Sequence, residues 1–439
     1  MSYWRGLTIE DRLVAAGHRP SGFDYLRFVL ATSIIAFHAP VVTQDALGGI
    51  PFWGTGAGTV AKFILPMFFS LSGFLVAGSL ERNSSLIGFY TLRALRIVPA
   101  LAVEVAMSAL ILGPILTSKS LTEYFSAPEF RSYFFNMIGY IHYRLPGVFH
   151  DNPLPDIVNQ QLWTIPSELG CYLALGALAV ASLVRRRGSL IVLVVAGQII
   201  WAIFAWRATS LTRAPIAPGG TLILAFTCGV AFYRYKTSIK INLPIFISVT
   251  IASLYAATLP RSEFLLSIPA CYMTVFLGLL NPPRHKFIAS GDYSYGLFLY
   301  GFPIQQVVAL MGSWTHHWWI NFIFAYPVTL VVAILSWHKV EKPALALRKA
   351  IPTMERMAHA IFRTEPLLIK SDSLRVHGSI QSTVRLLGIL FAGTAVLLLI
   401  NASDGLGVIA ASGAFAAFVG SGLLTRLSLS RQHTSKMER

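Results

Sequence analysis

Apolar residues run through this chain in long, nearly unbroken stretches, without the strict alternation of a half-buried strand. They fall at roughly 24–41, 57–80, 97–117, 163–184, 189–206, 218–233, 243–259, 264–281, 290–311, 319–338, 383–400 and 405–425. A bilayer core needs about 20 apolar residues per helix, so the pattern predicts membrane-spanning helices joined by short polar turns. The lysines and arginines test this partition independently. With the N-terminus inside, the outside segments hold six: Lys119, Arg131, Arg144, Arg207, Arg213 and Arg261. Arg27 and Lys62 lie within spans, and all the others fall inside, as the positive-inside rule requires. The expected fold is an all-α polytopic membrane helix bundle of about twelve spans, with both termini cytoplasmic.

Three regions depart from helix and turn. Residues 118–162 form a long outside loop containing "YFFNMIGYIHY", whose length suits an interfacial or re-entrant piece better than a span. Residues 339–382 form a long basic inside loop. The last two runs, within 383–425, are rich in Ala, Gly and Leu and follow that loop as an appendix to a ten-helix core.

Composition agrees with this picture. Of 439 residues, 55% are hydrophobic and 12% charged, with a mean hydropathy of +0.62. A soluble domain carries about 25% charged residues. The net charge of +16 belongs to loops facing anionic lipid, so a membrane partner is expected and nucleic acid is not. Cys171, Cys228 and Cys271 fall in apolar runs without metal-ligand spacing and read as small buried hydrophobes. The N-terminal segment lacks the apolar core of a cleavable signal peptide, so the first span is expected to direct insertion.

Ionisable side chains inside spans are costly and mark function by default. In "FDYLRFVLATSIIAFHAP", Arg27 and His38 are eleven residues apart, on nearly one helix face and about 16 Å apart along the axis. Arg27 could also snorkel to the inner interface, and His38 could simply cap a helix ending at Pro40. Glu168, in "QLWTIPSELGCY", is expected at the depth of His38, where a carboxylate could hold the imidazole tautomer. Glu104 lies mid-span and is expected to have a structural partner, and Lys62 reads as interfacial. "FFSLSGFLVAGSL" carries small residues, Ser72 and Gly73 among them, that suit close helix packing or a ligand's approach to the backbone. Arg93 and Arg96, at i and i+3 in "FYTLRALRIVP", present two guanidiniums suited to phosphate, or serve as ordinary positive-inside charges. Near the outer side, His316 and His317 lie among tryptophans in "GSWTHHWWIN", a sugar platform or an aromatic belt; no third ligand at metal spacing accompanies them.

Together these segments resemble the acyltransferase family 3 membrane proteins, which acylate sugars and polysaccharides. The family's Arg-x10-His signature is matched by Arg27 and His38, FFxxSGFL by "FFSLSGFL", and its Arg-rich turn by "FYTLRALRIVPA". "LWTIPSE", "GDYSYGLFLYGFPIQQ" and "VEKPALALRK" resemble further family elements in the same order, so the likeness covers residues 21 to about 349. Where relatives often carry a second histidine this chain has Gly301, and the soluble esterase-like domain that some relatives append is not expected here. On this basis residues 1–349 form an acyltransferase core, 350–382 a basic linker, and 383–439 a helix pair with a basic tail.

The resemblance implies a multi-pass O-acyltransferase of the bacterial inner membrane. Its acyl-CoA donor, most often acetyl-CoA, is a co-substrate on the cytoplasmic side, with no permanently bound cofactor or metal; its acceptor is a carbohydrate hydroxyl on the outer side. Arg27, Arg93 and Arg96 would hold the donor's phosphates, and Ser72 and Gly73 would let the thioester pass. His38 would act as general base or transient acyl carrier with Glu168 orienting it, and Trp163, His316 and His317 would face the acceptor. Two other readings remain. A transporter would suit twelve helices with both ends inside, although the polar residues crowd into the first four spans. A non-catalytic scaffold for polysaccharide assembly would use Arg27 and His38 only to pair with other helices.

Overall fold

The computed structural model describes residues 6–356, except 54, 83–84, 181–182, 185–187, 208–218, 260–261 and 354–355. The expected C-terminal helix pair and most of the basic linker lie outside the described residues. Within them, a helix meets each of the first ten apolar runs: α1 Gly22–Trp53, α2 Gly56–Arg82, α3 Leu86–Met107, α4 Ile165–Val180 and α5 Ser189–Arg207, then α6 Gly219–Arg234, α7 Leu243–Thr258, α8 Ser267–Gly278, α9 Ser294–Ala309 and α10 Trp318–Ser336. The chain is an all-α membrane bundle. Among the described residues five segments suffice by length and apolarity to cross a bilayer, beginning with Gly22–Gln44 and ending with Trp318–Thr353, and shorter apolar helices pack among them. The only described sheet is a two-residue pairing of Leu7–Thr8 with Lys240–Ile241, which docks the capped helix Ile9–Ala15 against the α6–α7 turn.

Helices α2 and α6 share the most extensive contact in the bundle. Small residues make it possible. At Gly73 a β-carbon would lie against the backbone of Phe226, and at Gly229 one would lie 2.8 Å from the Phe74 nitrogen, so the two backbones approach as closely as side chains permit. Helix α9 is buried around most of its circumference and packs on both α1 and α10. By contrast α5, α7 and α10 turn large aliphatic side chains outward, including Ile199, Ile251 and Val331. That inversion suits hydrocarbon outside the bundle rather than water.

Past Glu104, α3 widens into a π-turn at Ser108–Leu112 before its last turn, Gly113–Leu116. Such a turn shifts the hydrogen-bond ladder by one residue. The hydroxyl of buried Tyr124 donates to the Ala109 carbonyl at 2.8 Å, so the loop at 118–162 is anchored on this irregular segment. The loop holds two short helices, Leu121–Ser126 and Pro128–Tyr133, and a 3-10 turn at Phe134–Ile138. The segment "YFFNMIGYIHY" therefore does not span, as expected from its length. Glu104, 1% exposed, has the structural partners anticipated for it: Ser108 Oγ at 2.9 Å and Asn159 Nδ2 at 3.0 Å donate to its Oε1. Lys62 pairs with Glu263 at 3.3 Å.

Candidate active site

One cavity of about 140 Å³ opens between α1, α2, α3, α4 and α9. Arg27, Arg93 and Arg96 line it with Ser72, Glu168 and Tyr172, and its apolar wall includes Ile34, Phe68, Phe69 and Phe298. Residues from five of the sequence elements singled out above thus meet in one place. Arg27 comes from the first turns of α1, and Arg93 and Arg96 from successive turns of α3, where i and i+3 share a face.

Carboxylates outside the expected site hold two of these arginines. Asp292, just before α9, places Oδ2 3.0 Å from Arg27 Nη1 and 2.7 Å from Arg96 Nη2. Its other oxygen accepts from Ser294 Oγ at 2.6 Å. Glu341, 1% exposed in the π-turn Trp337–Glu341 that follows α10, takes Arg96 Nη1 at 3.0 Å. The Arg96 guanidinium also lies over the rings of Tyr295 and Trp337, each 5.7 Å from the centroid. Asp292, Glu341, Tyr172 and Tyr295 were not picked out from sequence as site residues. The available signal was acidic residues inside "GDYSYG" and "VEKP", both at the edges of apolar runs.

His38 stands one turn beyond Ile34, which lines the cavity. Its Nδ1 lies 2.9 Å from the Ile34 carbonyl oxygen. A carbonyl can only accept, so this contact calls for the tautomer with hydrogen on Nδ1 and leaves the Nε2 lone pair free. The ring meets Phe302 of α9 edge-on at 5.5 Å between centroids. Nearby, Gln305 Nε2 donates to the Ile35 carbonyl at 2.8 Å, fixing α9 against this stretch of α1. Gly301 leaves no space for the histidine of relatives, because a β-carbon there would lie 2.9 Å from Ile35 Cγ1.

Two expectations need correction. Glu168 does not orient His38: its carboxylate accepts from Tyr172 on its own helix and lines the arginine cavity, while the Ile34 carbonyl contacts the imidazole. On α4 the i,i+4 spacing sets Glu168 beside Tyr172, and both face the arginine cavity. Gly73 does not line the cavity; its missing side chain is the close approach of α2 to α6. Ser72 does line the cavity, one residue and about 100° away around the helix, with Oγ 3.2 Å from the Tyr172 hydroxyl.

Trp163, His316 and His317 do not line the cavity. Trp163 is half-buried and packs on the core. His316 Nε2 lies 3.1 Å from the Ala309 carbonyl oxygen, and His317 stacks on Trp319 with centroids 6.3 Å apart.

Comparison with known proteins bears on this site. An O-acetyl transferase of Shigella phage Sf6 is 29% identical over 348 residues, covering 74% of this chain and 96% of that protein. Nodulation protein 10 of Rhizobium leguminosarum bv. viciae is 28% identical over 367 residues, covering 77% and 96% respectively. No solved structure shows significant similarity. The family model described as an acyltransferase domain matches residues 21–338, a stretch that holds Arg27, His38, Arg93, Arg96, Glu168 and Asp292. The chain therefore belongs to acyltransferase family 3 and is a membrane O-acyltransferase.

Proposed function

We infer that this enzyme moves an acyl group, acetyl in the simplest case, from a cytoplasmic acyl-CoA to a hydroxyl of a carbohydrate on the outer side of a bacterial inner membrane. The observation that carries the reading is the cavity itself: three guanidiniums at one end, and at its apolar wall Ile34, one turn from an imidazole with a free Nε2. Guanidiniums suit the phosphates of the donor. The rise of about 16 Å between Arg27 and His38 is comparable to the reach of a pantetheine arm, so the charged nucleotide stays at the arginine end while the thioester travels inward.

The chemistry then follows from the tautomer. The acceptor hydroxyl attacks the thioester carbonyl while His38 Nε2 takes its proton; the carbon–sulfur bond breaks, and the thiolate recovers that proton from the imidazolium. The Ile34 carbonyl, accepting from Nδ1–H, keeps the ring oriented and supports the imidazolium as it forms. The name of one relative, an O-acetyl transferase, favours acetyl and an oxygen acceptor.

Replacement of His38 with Ala tests the reading. Mass analysis of surface glycans from a deletion strain complemented with His38→Ala should find no acylation, with the protein present in membranes at wild-type level. Acylation equal to wild type would overturn the assignment.

A further inference from the structure

Helix α9 approaches His38 at a weak point in its own backbone. Pro303 has no N–H, so the Leu299 carbonyl lacks the donor that a regular helix would bring to it. Asn159 Nδ2 takes that carbonyl at 2.9 Å. One residue earlier on the ladder, the side-chain amide of Gln161 bridges the step from Phe298 to Phe302. Its orientation is assigned from its partners: with nitrogen toward Phe298 it donates to that carbonyl, and its oxygen accepts from the Phe302 amide at 2.9 Å. Gln161 is 1% exposed and Asn159 is fully buried, so neither amide has water as an alternative partner. Gly301 admits the brace, since a β-carbon there would lie 3.3 Å from the end of the Gln161 side chain.

The braced turn joins the cavity to the imidazole. Phe298, at its start, lines the cavity, and Phe302, at its end, is the ring that meets His38 edge-on. On α1 the same four-residue interval separates Ile34, at the cavity, from His38. Gln161 belongs to the 3-10 turn Gln160–Thr164 that leads into α4, and Thr164 of that turn also lines the cavity. A single hydrogen bond from Nδ1 to the Ile34 carbonyl leaves the imidazole free to pivot about it, so a second contact is needed to aim Nε2. Phe302 supplies that contact.

We propose that Gln161 is a positioning residue for acyl transfer: its amide holds the Phe298–Phe302 turn of α9, and Phe302 in turn aims the His38 imidazole. This rests on His38 as the base and names what keeps that base in line. Asn159 braces the same turn but also bonds Glu104, so its replacement would disturb α3 as well.

The test uses inside-out membrane vesicles of the native strain, which carry its own acceptor, with radiolabelled acetyl-CoA as the probe and rates normalised to enzyme in the membrane. Gln161→Leu should lower kcat by roughly tenfold to a hundredfold, the cost of misplacing a catalytic group by about an ångström, and leave KM for acetyl-CoA unchanged. Gln161→Glu, which when protonated keeps one donor and one acceptor in the same shape, should recover most of the rate. Phe302→Leu should show the same split between kcat and KM. The double variant Gln161→Leu/Phe302→Leu should lose no more than the worse single variant, because both changes cut one chain of contacts. If Gln161→Leu fails to reach the membrane, Gln161→Asn, one methylene shorter, is judged by the same split and the same cycle. A wild-type kcat at position 161, or losses that multiply in the double variant, overturns the proposal and leaves the His38 assignment standing. Full acylation by His38→Ala removes that assignment and the proposal with it.

Discussion

Replacing Gly73 with Ala separates packing from ligand contact at the "FFSLSGFL" stretch. A β-carbon at position 73 would lie 2.9 Å from the Phe226 carbonyl carbon and 3.1 Å from its Cα, and closer still to the carbonyl oxygen. Carbon atoms pack comfortably at about 3.5–4.0 Å, so α2 and α6 must separate by roughly half an ångström or more. The contact cannot yield by rotating a side chain, because the obstacle is backbone. Overpacking of this kind costs about 1–3 kcal/mol, and the reciprocal approach at Gly229 puts this case toward the upper end. In a large domain each kcal/mol lowers the melting temperature by about 2–4 °C. Detergent-solubilised Gly73→Ala, followed by intrinsic fluorescence during heating, should therefore melt several degrees below wild type, with an unchanged KM for the acyl donor in the folded fraction. Ser72→Ala is the matched control. It removes a hydroxyl 3.2 Å from Tyr172 at the cavity wall, so it should leave the melting temperature nearly constant and raise the donor KM. A Gly73→Ala protein that melts like wild type but binds donor poorly would refute the packing argument and return Gly73 to the donor path.

Substitutions at three further positions test other contacts. Glu341→Leu leaves Arg96 Nη1 without its buried carboxylate, and removing one partner of such a pair costs on the order of 3–5 kcal/mol; a chemical-unfolding midpoint equal to wild type would show that the pair carries no structural weight. Glu104→Gln preserves an acceptor for Ser108 and Asn159 and should keep folded yield, whereas Glu104→Leu orphans the Ser108 hydroxyl and should lose about 1–3 kcal/mol; equal yields from both variants would dismiss the network. Gln306 Nε2 donates to the Leu154 and Ile157 carbonyls at 2.9 and 2.7 Å, so Gln306→Leu should accelerate proteolysis within the outer loop at 144–158; an unchanged digestion rate would mean that these bonds do not hold it.

The order of helices α1 to α10 was legible in the apolar runs, because the bilayer selects long apolar stretches, although α3 begins at Leu86, ahead of its run at 97–117, and α1 continues to Trp53. So was the membership in an acyltransferase family, since Arg27, His38 and "FFSLSGFL" keep their spacing along the chain. What the pattern could not supply was direction around each helix. A helix meant for lipid is apolar on every side, so its outward and inward faces look alike in sequence. That is why Ser72 and Gly73 read as a pair, although one lines the cavity and the other packs against α6. It also hides that Glu168 faces Tyr172, one turn on along its own helix, and the arginine cavity. Only tertiary structure brought Asp292 and Glu341, each more than 190 residues from Arg96, onto that guanidinium. Charge pairing across such separations depends on which helices become neighbours, and no local sequence pattern encodes that.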